Sequence, residues 1–137
     1  MDVSDFPLGL DTSVVLRLLT GEPAAQAEVA IQQVTAKADA GRPCLVSDLV
    51  VTEAYFALHS HYKVPKSEAL ATLLCFLESP LVQPEGAAIE ALRSTLDSTS
   101  KPGFVDRLIH LQYSPARLVT FEKAASKLPS CVLLDSP

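Results

Sequence analysis

Positive charge is the first thing this 137-residue sequence lacks. Eleven lysines and arginines stand against sixteen aspartates and glutamates, a net charge of −5. That balance excludes a protein that grips nucleic acid through bulk positive charge. It leaves room for an enzyme that meets nucleic acid through a cation, because acids around a metal add formal charge that the metal offsets. The cysteines, Cys44, Cys75 and Cys131, are odd in number and far apart. They supply neither a disulfide framework nor a zinc spacing, and reduced buried thiols in a cytoplasmic protein are expected. No apolar run approaches the ~18 residues of a membrane span, so no membrane partner is expected. The opening MDVSDF is acidic and lacks the basic region of a signal peptide. Five glycines build no phosphate-cradling loop. His59, His61 and His110 have no ligand spacing, and Ser47, Ser60 and the cysteines have no nucleophile-elbow context.

What is present suits a folded domain. Hydrophobic residues make up 48% of the chain and charged residues 20%, which places it among globular proteins, and 137 residues suit one domain with one core. The mean hydropathy, +0.26, is high for so small a chain. It is consistent with apolar surface in a subunit or partner interface, or with a tightly packed monomer.

The punctuation along the chain is regular. Leu8–Leu10 reads as a short buried strand, with Thr12 or Ser13 capping a helix from about Val14 to Thr20. Pro23 suits a first helical position, and Ala27, Ala30, Ile31, Val34 and Ala38 form an apolar stripe that ends near Gly41. Cys44–Val46 reads as a strand, with Ser47 and Asp48 as caps for a helix over about 49–62. Pro65 opens another helix, to about Leu77. Leu81-Val82 is a brief strand and 85–96 is helical in pattern. Residues 97–103 are a loop by composition. Phe104–Tyr113 is helical, RLVTF at 117–121 is β-rich, 122–128 holds a helical turn or two, and 131–134 is a last strand. Short apolar strands alternating with helices predict a parallel sheet covered on both faces. Strand-to-helix junctions then gather along one sheet edge, where open α/β folds bind ligands.

Four acids stand apart from the others. Asp11 lies between apolar runs in LGLDTSVVLRLL, and partial burial is expected for it; a helix cap is the structural alternative. Glu53 is the only charge in LVVTEAYFAL, a stretch that reads as buried nearly all round. Asp106, in PGFVDRLIHL, suits the first turn of a helix and a pairing with Arg107. Glu122 follows the strand RLVTF at a second strand-to-helix junction, with Lys123 beside it. In a parallel α/β sheet all four places converge on one edge. Carboxylates brought together repel, and a divalent cation removes the conflict. Mg²⁺ or Mn²⁺ takes a few carboxylate oxygens and keeps waters.

The stretches LGLDTSVVLRLLTGE, VSDLVVTEAYFAL, GFVDRLIHLQ and LVTFEKAASKLP, in that order and spacing, resemble the PIN-domain ribonucleases, and within them the VapC-like toxins of bacterial toxin–antitoxin pairs. The likeness runs from about Leu8 to Leu134. It implies a three-layer α/β/α sandwich with a short, mostly parallel central sheet, as one domain over 1–137. It implies that Asp11, Glu53, Asp106 and Glu122 are the catalytic, metal-binding acids and that the cofactor is Mg²⁺ or Mn²⁺. Thr12, Ser13 and Thr120 match the supporting hydroxyls. The implied partners are an RNA substrate, a small antitoxin and a second copy in a homodimer. Three features depart from the pattern. Glu122 is one methylene longer than the usual Asp, Gly103 stands where relatives carry a further acid, and the link LQYSPARLVTF is short. The rival readings are a catalytically weakened PIN-like module that binds RNA or protein, and a DNA-directed nuclease of the same chemistry.

Overall fold

Short extended segments alternating with helices set the architecture. The computed structural model describes residues 6–98 and 100–135. The opening MDVSD and Thr99 of the expected loop lie outside the described residues. The chain forms two units, Met1–Gly86 and Ala87–Pro137.

In the first unit, strand β1 (Cys44–Ser47) has a parallel neighbour on each edge. The Leu10 N–H donates to the Leu45 carbonyl at 2.9 Å and the Leu45 N–H to the Leu8 carbonyl at 2.7 Å, which seats Leu8–Leu10 along one edge. Strand β2 (Val82–Glu85) takes the other, with Cys44 opposite Val82 and Ser47 opposite Glu85. β2 contains Pro84, which has no N–H to give. A proline-bearing strand suits the outside of a sheet.

α1 and α3 begin where extended segments end. α1 (Thr12–Thr20) is capped by Asp11, one residue before the expected Thr12 or Ser13. Gly21 stops it at φ +73, a conformation that costs glycine no Cβ clash, and donates its N–H to the Arg17 carbonyl. α2 (Ala24–Asp39) follows Pro23. α3 (Asp48–Phe56) is capped by the Ser47 hydroxyl, which accepts from the Val50 N–H at 3.3 Å, and it runs on into one π-turn, Ala57–His61. α4 (Lys66–Glu78) follows Pro65. α1 packs on α2 and α3, and α4 packs on α3 and β2. Val15, Val46, Val51, Leu73 and Leu77 are fully buried among them. At about 25 cal/mol per Å² of apolar area, side chains of this size each stabilise the fold by roughly 1.5–3 kcal/mol.

The second unit holds α5 (Ala88–Leu96), α6 (Phe104–Tyr113), and the parallel pair β3 (Leu118–Thr120) and β4 (Cys131–Leu133). Leu92, Phe104 and Leu108 are its buried large side chains. Two expectations are corrected. The segment expected to be helical from residue 85 starts as strand, and α5 begins only at Ala88, because Gly86 turns the chain at φ +103. The helical turns expected over 122–128 reduce to one 3₁₀ turn, Ala125–Lys127. The described residues are thus a mixed α/β fold of six α-helices and short parallel strands, in two sheets of two strands each. Among them no helix is long and apolar enough to cross a membrane.

Candidate functional site

The C-terminal edge of the first sheet carries Asp11, Asp48 and Glu85. Leu8–Leu10 is followed by Asp11, β1 is followed by Asp48, and β2 ends at Glu85 with Gly86 next. Asp11 Oδ1 accepts the Thr12 N–H at 2.8 Å, so the carboxylate caps α1. The same threonine reaches across to the neighbouring helix: Thr12 Oγ1 donates to Glu53 Oε2 at 3.1 Å. A hydrogen bond to an ionised carboxylate is stronger than a neutral one. Two acids forty-two positions apart in sequence are therefore joined through one residue. Ser13, expected to work with Thr12, instead lines an apolar groove between α1 and α2.

The burial expected of these two acids is corrected. Asp11 and Glu53 are both exposed. The helix around Glu53 is not buried all round, for Leu49, Glu53 and Phe56, at spacings of four and three, share one open face. The sequence showed a lone charge in an apolar run, and the structure makes it part of the solvent face. The buried acid is Asp48, 7% exposed, which reads from sequence as a helix cap. Its carboxylate lies against the backbone at Gly86, where a Cβ would collide with it. A glycine at the second position of the helical pattern over 85–96 is the sequence signal for that approach.

In the second unit Asp106 is the third residue of α6 and is half-exposed. Arg107, its expected partner, instead donates from Nε to the Pro102 carbonyl and from Nη1 to Ser94 Oγ, each at 2.9 Å. Those two bonds tie the loop before α6 to α5. Glu122 is exposed just after β3, and its N–H donates to Thr120 Oγ1 at 3.0 Å. Thr120 thus holds the backbone of Glu122 in place. His59 Nδ1 donates to the Val64 carbonyl at 3.1 Å and His110 Nε2 to the Pro129 carbonyl at 2.6 Å, which are structural bonds.

Burial raises the Cys44 thiol above its ordinary value, with Lys37 pulling the other way, and burial also raises the Tyr55 phenol. Both stay neutral at physiological pH and serve the core. Among the described residues no group of three or more His, Cys, Asp or Glu side chains is placed to hold a metal ion. Asp11 and Glu53 supply two carboxylates with oxygen atoms open to solvent, the donor type that hard divalent cations take. The chain matches no protein-family model and no curated protein.

Proposed function

We propose that this protein is a metal-dependent endoribonuclease of the PIN class, acting as the cytoplasmic toxin of a toxin–antitoxin pair. In this reading the chain is one domain, a three-layer α/β/α sandwich with a short central sheet. It works as a homodimer, and a small antitoxin occludes its acidic edge. The observation that carries the proposal is the Thr12–Glu53 hydrogen bond beside the Asp11 cap. It joins two of the four acids singled out by the resemblance, at the sheet edge where α/β folds bind ligands.

Asp11 and Glu53 fit Mg²⁺ or Mn²⁺ by donor chemistry and number, since magnesium sites commonly use one or two carboxylates with waters and substrate phosphate. Asp106 and Glu122 complete the set in the proposal. When bound, the cation supplies charge neutralisation at the scissile phosphate and a more acidic water. Asp11 acts with its backbone position fixed by the α1 cap. Thr12 holds one oxygen of Glu53 and leaves the other open. Thr120 fixes the backbone of Glu122, and the longer side chain adds one rotatable bond between that backbone and the carboxylate. In-line attack of water on phosphorus breaks the bond to O3′ and leaves a 5′-phosphate and a 3′-hydroxyl.

The rival is a PIN-like binding module. Glu122 in place of Asp and the absence of a three-ligand group among the described residues favour it. The test is cleavage of a panel of single-stranded and structured RNAs, with DNA oligonucleotides alongside, in Mg²⁺ and in Mn²⁺. Weak cleavage of RNA, greater with Mn²⁺, and none by Asp11→Asn supports the enzyme. Positioning errors near 1 Å cost on the order of 10²-fold in rate, so Glu122→Asp is expected to keep or increase the activity and Glu122→Ala to lower it. Cleavage of DNA alone moves the substrate class. Identical behaviour of wild type and Asp11→Asn on every substrate, with tight binding to a partner, establishes the binding module.

A further inference from the structure

A recess of about 570 Å³ lies in the first unit, lined by Arg17, Glu22, Pro23, Ala24 and Tyr62. Its walls come from the C-terminal half of α1, the turn into α2, and the residue that closes the π-turn after α3. The backbone of Arg17, Pro23 and Tyr62 serves the helix ends, but the acidic edge uses none of the side chains that line the recess.

Both polar anchors are held by the fold. Arg17 donates from Nε to Gln26 Oε1 at 2.7 Å, which orients the guanidinium and leaves its terminal nitrogens unengaged among the described residues. Tyr62 is half-buried, and its ring meets the His61 ring edge-on with centroids 4.9 Å apart. Its backbone N–H donates to the Ala57 carbonyl at 3.1 Å, and the Val64 N–H to the Leu58 carbonyl at 2.9 Å. Lys63 follows in the left-handed region at φ +59, and Lys63 and Lys66 are both exposed. In a chain of net charge −5 this recess sets an oriented cation and an aromatic ring on one lining.

The recess also stands in a fixed relation to the acids. Arg17 is five residues beyond Thr12 on α1, about 7.5 Å of helical rise at 1.5 Å per residue. Tyr62 is nine residues beyond Glu53, along α3 and its π-turn. α1 and α3 pack together, so the recess and the Thr12–Glu53 bond lie along one helix pair.

We infer that this recess is a nucleotide subsite, in which the Tyr62 ring stacks a base and the Arg17 guanidinium holds a phosphate of the same single strand. The inference rests on the ribonuclease reading and names how that enzyme holds RNA beside its acids. Base–aromatic stacking and guanidinium–phosphate pairing are the two contacts that bind single strands with little sequence preference. Glu22 on the same lining opposes phosphate by its charge, so the phosphate is held on the Arg17 side of the recess and not on the Glu22 side. Tyr62 and Arg17 are positioning residues, since neither lies at the acidic edge.

The experiment is fluorescence anisotropy with a labelled single-stranded oligoribonucleotide, in EDTA so that no cleavage occurs, over a series of salt concentrations. Tyr62→Leu is expected to weaken binding about tenfold or more, and Tyr62→Phe to stay within about twofold of wild type. Arg17→Ala is expected to lower affinity and reduce the salt slope by about 1, which a purely structural role does not do. Circular dichroism checks that each variant is folded. If Tyr62→Leu does not fold, ultraviolet cross-linking of wild type to a 4-thiouridine RNA replaces it, with Tyr62 the expected adduct in peptide mass spectra. Unchanged affinity in folded Tyr62→Leu, an equal loss in Tyr62→Phe, or adducts only elsewhere overturns the subsite. RNA cleavage by wild type with any of those results leaves the nuclease standing and removes the subsite. The expected binding pattern without cleavage in Mg²⁺ or Mn²⁺ removes the nuclease and leaves the subsite. No RNA binding by wild type overturns the subsite outright.

Discussion

Asp11 does two separable things, and two substitutions pull them apart. As a cap, its Oδ1 accepts the Thr12 N–H at 2.8 Å in an exposed position. Asparagine caps about as well as aspartate, while alanine at such a position costs about 0.5–2 kcal/mol. Asp11→Asn also removes a charge that favours the α1 N-terminus by about 0.3–1 kcal/mol, offset in part by relief of repulsion toward Glu53. The net change for Asp11→Asn is therefore expected to lie within about 0.5 kcal/mol of zero. Asp11→Ala is expected to lose about 1 kcal/mol from the missing cap. Since about 1 kcal/mol moves the melting temperature by roughly 2–8 °C across domains of this size range, Asp11→Ala should melt a few degrees below Asp11→Asn. Both should lose RNA cleavage, because neither keeps the carboxylate. Thermal melts by circular dichroism, read beside the cleavage assay on the same preparations, give the answer. If Asp11→Asn melts above Asp11→Ala and cleaves RNA at the wild-type rate, Asp11 is a cap and nothing more.

Mg²⁺ or Mn²⁺ is expected to raise the melting temperature of wild type, because only the folded chain brings Asp11 and Glu53 together, and Glu53→Gln is expected to lose most of that gain; an equal rise in both removes Glu53 from the site. Gly86→Ala is expected to destabilise by about 2 kcal/mol or more in urea titrations, since it puts a side chain at φ +103 and a Cβ into the Asp48 carboxylate; wild-type stability in this variant refutes that close approach. Alkaline pH is expected to weaken the fold. Cys44 and Tyr55 titrate above their ordinary values of 9.0 and 10.0 in the folded chain, so their contribution is complete below about pH 9. It is lost as pH rises through the folded values, because the unfolded chain releases its protons first. Melts between pH 7 and 10.5 test this, and Cys44→Ala should flatten the part of the fall that begins near pH 9.

The order of strands and helices is legible in the sequence, and so are several of their boundaries. α6 spans Phe104–Tyr113 as the pattern predicts, β1 covers Cys44–Val46 with Ser47 added, and α4 begins after Pro65. These boundaries follow from local chemistry: proline and capping side chains act within a few residues, so nearby sequence suffices to place them. The joining of Asp11 to Glu53 is only half local. The sequence placed both near strand-to-helix junctions, but the bond through Thr12 needs α1 packed on α3. Burial is not legible in the sequence for the same reason. A lone acid in an apolar run has the same sequence pattern whether its helix is enclosed or has one face in water. Only tertiary packing turned Leu49, Glu53 and Phe56 outward and drew Asp48 in against Gly86. Packing also decided that Arg17 and Tyr62, forty-five positions apart, line one recess. Local sequence carries the period of a helix, but which neighbour covers each face depends on contacts between distant segments, which no short window contains.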